Sequence, residues 1–111
     1  MKLTREQALE LHRRMWSNMQ EELGDNPFDL AREEYKRQWC NKYFPEEHIK
    51  YNCFLCEYAL DVAFKTCTLV CDHCPIKWDF GVCFEGFFQK KSYRNMPISE
   101  LLALPERDEV N

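Results

Sequence analysis

From Ala8 to Leu23, apolar residues recur every three or four positions: Ala8, Leu11, Met15, Met19 and Leu23 form a stripe that Leu9, His12 and Trp16 widen. That period predicts an amphipathic helix over residues 4–23. Thr4 is its predicted N-cap, and Gln7, at the third helical position, completes a capping box. "GDNP" at 24–27 stops it, Gly24 suiting a left-handed C-terminal cap and Pro27 the first turn of a following helix. That second helix is predicted over 27–43. Phe28, Ala31, Tyr35, Trp39 and Tyr43 share one face, and the charges of "REE" and "KR" face water. Pro45 ends it, and so short a linker predicts an antiparallel helical hairpin.

Beyond the hairpin, "EEHIKYN" (46–52) leads into a cysteine-rich segment. Within it "CEYALDVAFK" has helical composition, bringing Tyr58, Ala59, Val62 and Ala63 together, while "CDHCPIKWDFG" reads as a compact knuckle and turn. "VCFEGFFQKKSYRN" suits a strand or a short helix equally. "PISELLAL", stopped by Pro105, predicts a last helix, and "PERDEVN" a frayed tail. The expected architecture is mainly α in a single domain over 1–111. A helical hairpin (1–45) packs on a four-cysteine zinc-knuckle module (46–92) with little or short β structure, and a short helix and tail (93–111) follow.

Composition narrows this. A chain of 111 residues, 45% hydrophobic and 14% aromatic, is long enough for a real core, and three glycines are few for a turn-rich sheet protein. The formal net charge of −4 counts against a generic nucleic-acid binder, which carries a basic excess. "MKLTREQALELHRRMW" has no apolar core of a signal peptide, and no later run is long enough to span a membrane. The expected setting is a reducing cytoplasm, where clustered cysteines more often hold metal than one another.

Five of the seven cysteines fall between residues 51 and 79, two pairs reading C-x2-C-x14-C-x2-C. Each C-x-x-C brings two thiolates to one ion from a tight turn, and the intervening residues suffice for one helix that returns the chain. Four thiolates complete the closed tetrahedron of structural zinc, so Cys53, Cys56, Cys71 and Cys74 are the predicted ligands of a structural Zn2+. Cys67 or His73 is the alternative for one of the four. Cys40 and Cys83 read as small buried hydrophobes. Structural zinc contributes roughly 10–16 kcal/mol in finger peptides, against ~5–15 kcal/mol for whole domains. Loss of the metal is therefore expected to unfold residues 53–83. A redox C-x-x-C needs a βαβ setting that is missing here, and a disulfide framework would leave one of seven cysteines over.

Catalytic chemistry finds little to stand on. His12 lies beside an apolar stripe, and His48 reads as solvated. His73 in "CDHCP" resembles the Asp-His-x-x-Pro opening of HNH nucleases. Pro75 comes one residue early, however, and no second histidine follows. The deaminase signature is absent, and four thiolates would leave no open metal position. The basic residues at 12–14, 36–37 and 89–94 could gather into a phosphate-binding strip, but an ordinary interleaved surface is the simpler reading. Trp16, Trp39 and Trp78 are expected to anchor the hairpin on the zinc module, with Phe84, Phe87 and Phe88 either finishing its core or meeting a partner.

"LHRRMW", "CFLCEYA" and "CDHCPIKW" together resemble a family of small cysteine-rich proteins of tailed phages and prophages of Gram-positive bacteria. The resemblance covers about residues 11–80 and implies metal binding by Cys53, Cys56, Cys71 and Cys74 inside an infected bacterium. By analogy of genetic context, such a protein acts by binding a bacterial host protein, as a modulator or an inhibitor of a host or defence factor. The expected contacts are the Phe87/Phe88 region and the charged faces of the first two helices. A zinc-dependent nucleic-acid-binding module is the runner-up, and an HNH-like nuclease comes behind it.

Overall fold

A computed structural model describes residues 2–49, 52–66, 73–77 and 96–107. Four helices carry the described chain: α1 (Arg5–Leu23), α2 (Asp29–Tyr43), α3 (Phe54–Thr66) and α4 (Ile98–Leu102). The mainly helical expectation holds. Trp78 and the aromatic segment 82–95, with Phe84, Phe87 and Phe88, lie outside the described residues.

α1 begins as its sequence dictates. The Gln7 amide N–H donates to Thr4 Oγ1 at 3.1 Å and the Thr4 N–H donates to Gln7 Oε1 at 3.0 Å. Two donors that a helix start leaves orphaned are thereby satisfied. Gly24 closes the helix at φ +86°, a backbone that only glycine adopts without strain, and its N–H donates to the Gln20 carbonyl at 2.9 Å. The stripe buries Ala8, Leu9, His12, Met15, Trp16 and Met19 against α3 first, then α4, then α2. Leu23, the last member of the predicted stripe, remains 44% exposed.

α2 departs from its hydrophobic pattern. It starts at Asp29 with Phe28 as N-cap, leaving Pro27 in the turn. Phe28, expected on the core face, is 88% exposed, while Arg32 and Lys36, expected in water, are 1% and 3% exposed. The buried face is Arg32, Lys36, Trp39 and Cys40, a stripe turned by about one residue from the predicted one. Partners explain the inversion. The Arg32 guanidinium donates to the Met96 carbonyl at 2.6 Å and to the Pro27 carbonyl at 2.9 Å, and Lys36 Nζ lies 3.8 Å from Glu33 Oε1. Charges enter a core when carbonyls and carboxylates receive them.

α4 is capped from a distance. Asp25, in the α1–α2 turn, accepts from the Ser99 amide at 2.7 Å and the Ser99 hydroxyl at 2.8 Å, and its own carbonyl accepts from the Ile98 amide at 2.8 Å. These bonds hold the Asp25 carboxyl below its ordinary range. Ile98 and Leu101 are thereby seated in the core.

The tail is clamped as far as Arg107, where fraying was expected. Lys77 N–H donates to the Pro105 carbonyl at 2.8 Å and Arg107 N–H to the Pro75 carbonyl at 2.7 Å, an antiparallel bridge pairing Ile76 with Glu106. Arg5 and Arg13 reach Glu106 at 3.3 and 3.1 Å. Backbone pairing to residues 75–77 supplies the order that composition alone does not. Residues 108–111 lie outside the described residues.

Two outcomes follow. Arg32→Met, which keeps the volume but removes the donors to Met96 and Pro27, is expected to cost about 2–4 kcal/mol in urea unfolding. His12 is 3% exposed, and burial first, then the charges of Arg13 and Lys36, hold its pKa down to about 3. The unfolded chain takes up that proton near the ordinary 6.5, so it binds more protons between the two values and stability falls as pH drops through them. From pH 6.5 to about 4.5 the wild-type protein is expected to lose about 2 kcal/mol more than His12→Gln, measured by urea midpoints at each pH.

Candidate metal centre

The aromatic end of α2 decides where the first cysteine pair stands. Trp39 meets Phe54 edge-on at 5.6 Å between centroids, Phe44 meets Phe54 at 5.6 Å, and Trp39 lies 4.5 Å from Tyr43. Phe54 and Leu55, the two residues inside the C-x-x-C, are each 1% exposed. Burying each contributes roughly 1.5–3 kcal/mol. Cys53 and Cys56 then flank an anchored turn and stand partly buried beside it. Just upstream, Asn52 takes the left-handed φ of +50° that asparagine tolerates, with its N–H donating to the Ile49 carbonyl at 2.9 Å.

Cys53 occupies the cap position of α3. Its carbonyl accepts the first helical bond, from Glu57 N–H at 3.2 Å. Its sulfur accepts from the Cys56 thiol and from the backbone N–H groups of Cys56 and Leu55. A serine or aspartate oxygen caps a helix by accepting from those same two positions. The Cys56 thiol donor is the largest cause that lowers the Cys53 pKa to about 6. Burial opposes it, and Lys36 and the two amides add to it. Cys40 has the opposite fate: burial pushes its thiol up to about 11, with Lys36 opposing and Cys53 and Glu57 reinforcing. The charge of Lys36 thus favours the thiolate form of both cysteines, and the hydrogen bonds at the α3 start lower the pKa of Cys53 alone. Cys40 is the buried neutral thiol that its place in a helix suggested.

Of the predicted ligands, Cys53 and Cys56 come together. Cys74 is partly buried against the same core cluster as Cys53, in the 73–77 segment that the C-terminal bridge holds. His73 beside it is also partly buried. Cys71, with Cys67 and Cys83, lies outside the described residues. Among the described residues, no three His, Cys, Asp or Glu side chains are grouped so as to hold a metal. Two adjacent sulfurs, the Cys53 thiol with its pKa lowered by the Cys56 donor, suit a soft divalent cation, which binds thiolates and displaces their protons. The first pair therefore fits two positions of such an ion. Lys36 was missed because a lysine among polar neighbours reads as solvent-facing, although its four-residue spacing from Arg32 and from Cys40 was there to be seen.

In metal-free, reduced protein, alkylation by iodoacetamide followed by peptide mass mapping is expected to mark Cys53 with a midpoint near its value of about 6, and to spare Cys40 at neutral pH. Lys36→Met should move the Cys53 midpoint upward, because the cation that favours the thiolate is gone.

The chain matches no family model, no curated protein and no solved structure among those compared with it.

Proposed function

We propose that this is a small structural-zinc protein that acts by binding another protein rather than by catalysis, with Cys53, Cys56, Cys71 and Cys74 as the zinc ligands. The setting proposed is the cytoplasm of a phage-infected bacterium, and the target a bacterial host or defence factor that the protein modulates or inhibits. Among the described residues no helix is long and apolar enough to cross a membrane, in keeping with that setting.

One observation carries the binding reading. Leu23, Phe28 and Leu30, within eight residues around the α1–α2 turn, are 44%, 88% and 83% exposed. Large apolar side chains concentrated on a surface mark an interaction site more often than they serve the folded monomer. These three side chains support a contact at the α1–α2 turn, beside the Phe87/Phe88 region and the charged faces of the first two helices that the sequence suggested. Of the basic residues read as a possible phosphate-binding strip, those at 12–14 and 36–37 lie among the described residues and those at 89–94 lie outside them. Arg32 and Lys36 are buried, Arg13 is paired with Glu106, and Arg37 is paired with Glu34. A phosphate-binding strip needs those cations in water and unneutralised.

Tagged protein incubated with bacterial lysate is expected to capture one protein at near-stoichiometric yield. Phe28→Asp/Leu30→Asp should abolish the capture while leaving the melting temperature within a few degrees, since both side chains lie in solvent. Elemental analysis of never-chelated material is expected to give about one zinc per chain, lost in Cys53→Ser/Cys56→Ser. Protein that carries no transition metal would remove the zinc reading, and equal capture by the charged variant would remove the turn as its binding surface.

A further inference from the structure

The α1–α2 turn is tied to its surroundings at two points. The Asp25 carboxylate accepts from the Ser99 amide at 2.7 Å, the Ser99 hydroxyl at 2.8 Å and the Gln20 side-chain amide at 3.0 Å. The Asp25 carbonyl accepts from Ile98 N–H at 2.8 Å, and the Pro27 carbonyl from Arg32 at 2.9 Å. The apolar side chains on this pinned backbone nevertheless stand in solvent, Phe28 at 88%, Leu30 at 83% and Leu23 at 44%. Around Gly24 the space is open, since a Cβ placed there would meet nothing within 4 Å. A held turn that displays apolar groups into open space is a preformed knob, and its rigidity lowers the ordering cost of inserting it into a partner.

Charge around the knob has one sign. Between Arg14 and Lys36 the sequence contains a single base, Arg32, and it is 1% exposed. The same stretch contains six carboxylates. Glu21 and Glu22, next to Leu23, and Asp29, between Phe28 and Leu30, are exposed. No base lies in the last turn of α1, so the negative end of that helix adds to Glu21 and Glu22.

Apolar anchors within an acidic field select the occupant. A free cation gains nothing from Phe28 and Leu30, and nucleic acid or anionic lipid is repelled by the carboxylates. A second copy would bring the same charge and the same projecting turn. The three apolar side chains expose roughly 400 Å², about half of what each side of a stable interface buries, so turn against turn would not hold a dimer. A pocket encloses a projecting side chain on all sides, and a basic rim adds the contacts that the apolar area lacks. We infer that the α1–α2 turn inserts Phe28 and Leu30 into an apolar pocket of the partner protein, whose lysine or arginine rim meets Glu21, Glu22 and Asp29. The inference rests on the protein-binding reading and gives that partner its surface chemistry.

The test places a photoreactive benzophenone side chain at position 28 of the full chain and irradiates it in bacterial lysate. One protein is expected to cross-link, through an apolar peptide with lysine or arginine nearby. Excess unmodified protein should reduce that cross-link at least about tenfold, and the same group at exposed position 10, about 20 Å back along α1, should not form it. Glu21→Gln/Glu22→Gln/Asp29→Asn should weaken capture of that protein at least about fivefold at low salt and much less at high salt. All three side chains are exposed, so the triple variant keeps its fold, which an unchanged circular dichroism spectrum verifies. Cross-linking to a second copy, to lipid or to nucleic acid, an acidic cross-linked peptide, or equal capture by the triple variant would each overturn the inference. Capture by the wild type without a cross-link from position 28 would overturn it alone. Neither capture nor cross-link would remove the protein-binding reading beneath it.

Discussion

Two cations buried on one face of α2 hold the described parts of this protein together. Arg32 gathers the carbonyls of Pro27 and Met96, tying the α1–α2 turn to the chain entering α4. One turn further on, Lys36 meets Glu33 and lends its charge to Cys53 at the start of α3. A buried cation is tolerable only where its neighbours are fixed. These two therefore constrain the segments around them more sharply than apolar contacts of equal area could, because a carbonyl must be met in direction as well as distance.

Lys36 also adds to the lowering of the Cys53 pKa, of which the Cys56 thiol is the largest cause. With Phe54 and Leu55 driven into the core, the backbone at the α3 start is fixed, and the sulfur of Cys53 sits where an N-cap oxygen would. The hydrogen-bond donors there and the charge of Lys36 lower the Cys53 thiol pKa before any metal is involved. The second pair is governed by different forces. Pro75–Lys77 is held by backbone pairing with Pro105–Arg107, and Glu106 by Arg5 and Arg13 of α1. The chain's two ends thus fix the ground on which Cys74 stands, and zinc, in the reading advanced here, would join two separately anchored elements rather than create a fold from nothing.

The rotation of α2 has consequences on its outer side as well. Turning Arg32 and Lys36 inward sends Phe28 and Leu30 into water and leaves Tyr43 half exposed in a cleft between α1 and α2. The apolar turn and the cleft are two surfaces created by one packing choice.

Local signals along the chain determined much of this. The Thr4–Gln7 capping box, the Gly24 stop, the start and end of α2 within two residues, a helix after Cys56 and another before Pro105 all follow from bonding between near neighbours, which a sequence displays directly. The C-x2-C spacing likewise announced that Cys53 and Cys56 would meet. What tertiary structure alone decided is which side of α2 faces inward, that the Cys53 thiol pKa is lowered while that of Cys40 is raised, and that the tail is clamped to residues 75–77. Each depends on partners distant in sequence: Met96 for Arg32, α3 for Lys36, Glu106 for Arg5 and Arg13. Hydrophobic periodicity cannot register a charge buried against a carbonyl dozens of residues away, because the energy of that burial resides in the pair and not in either residue.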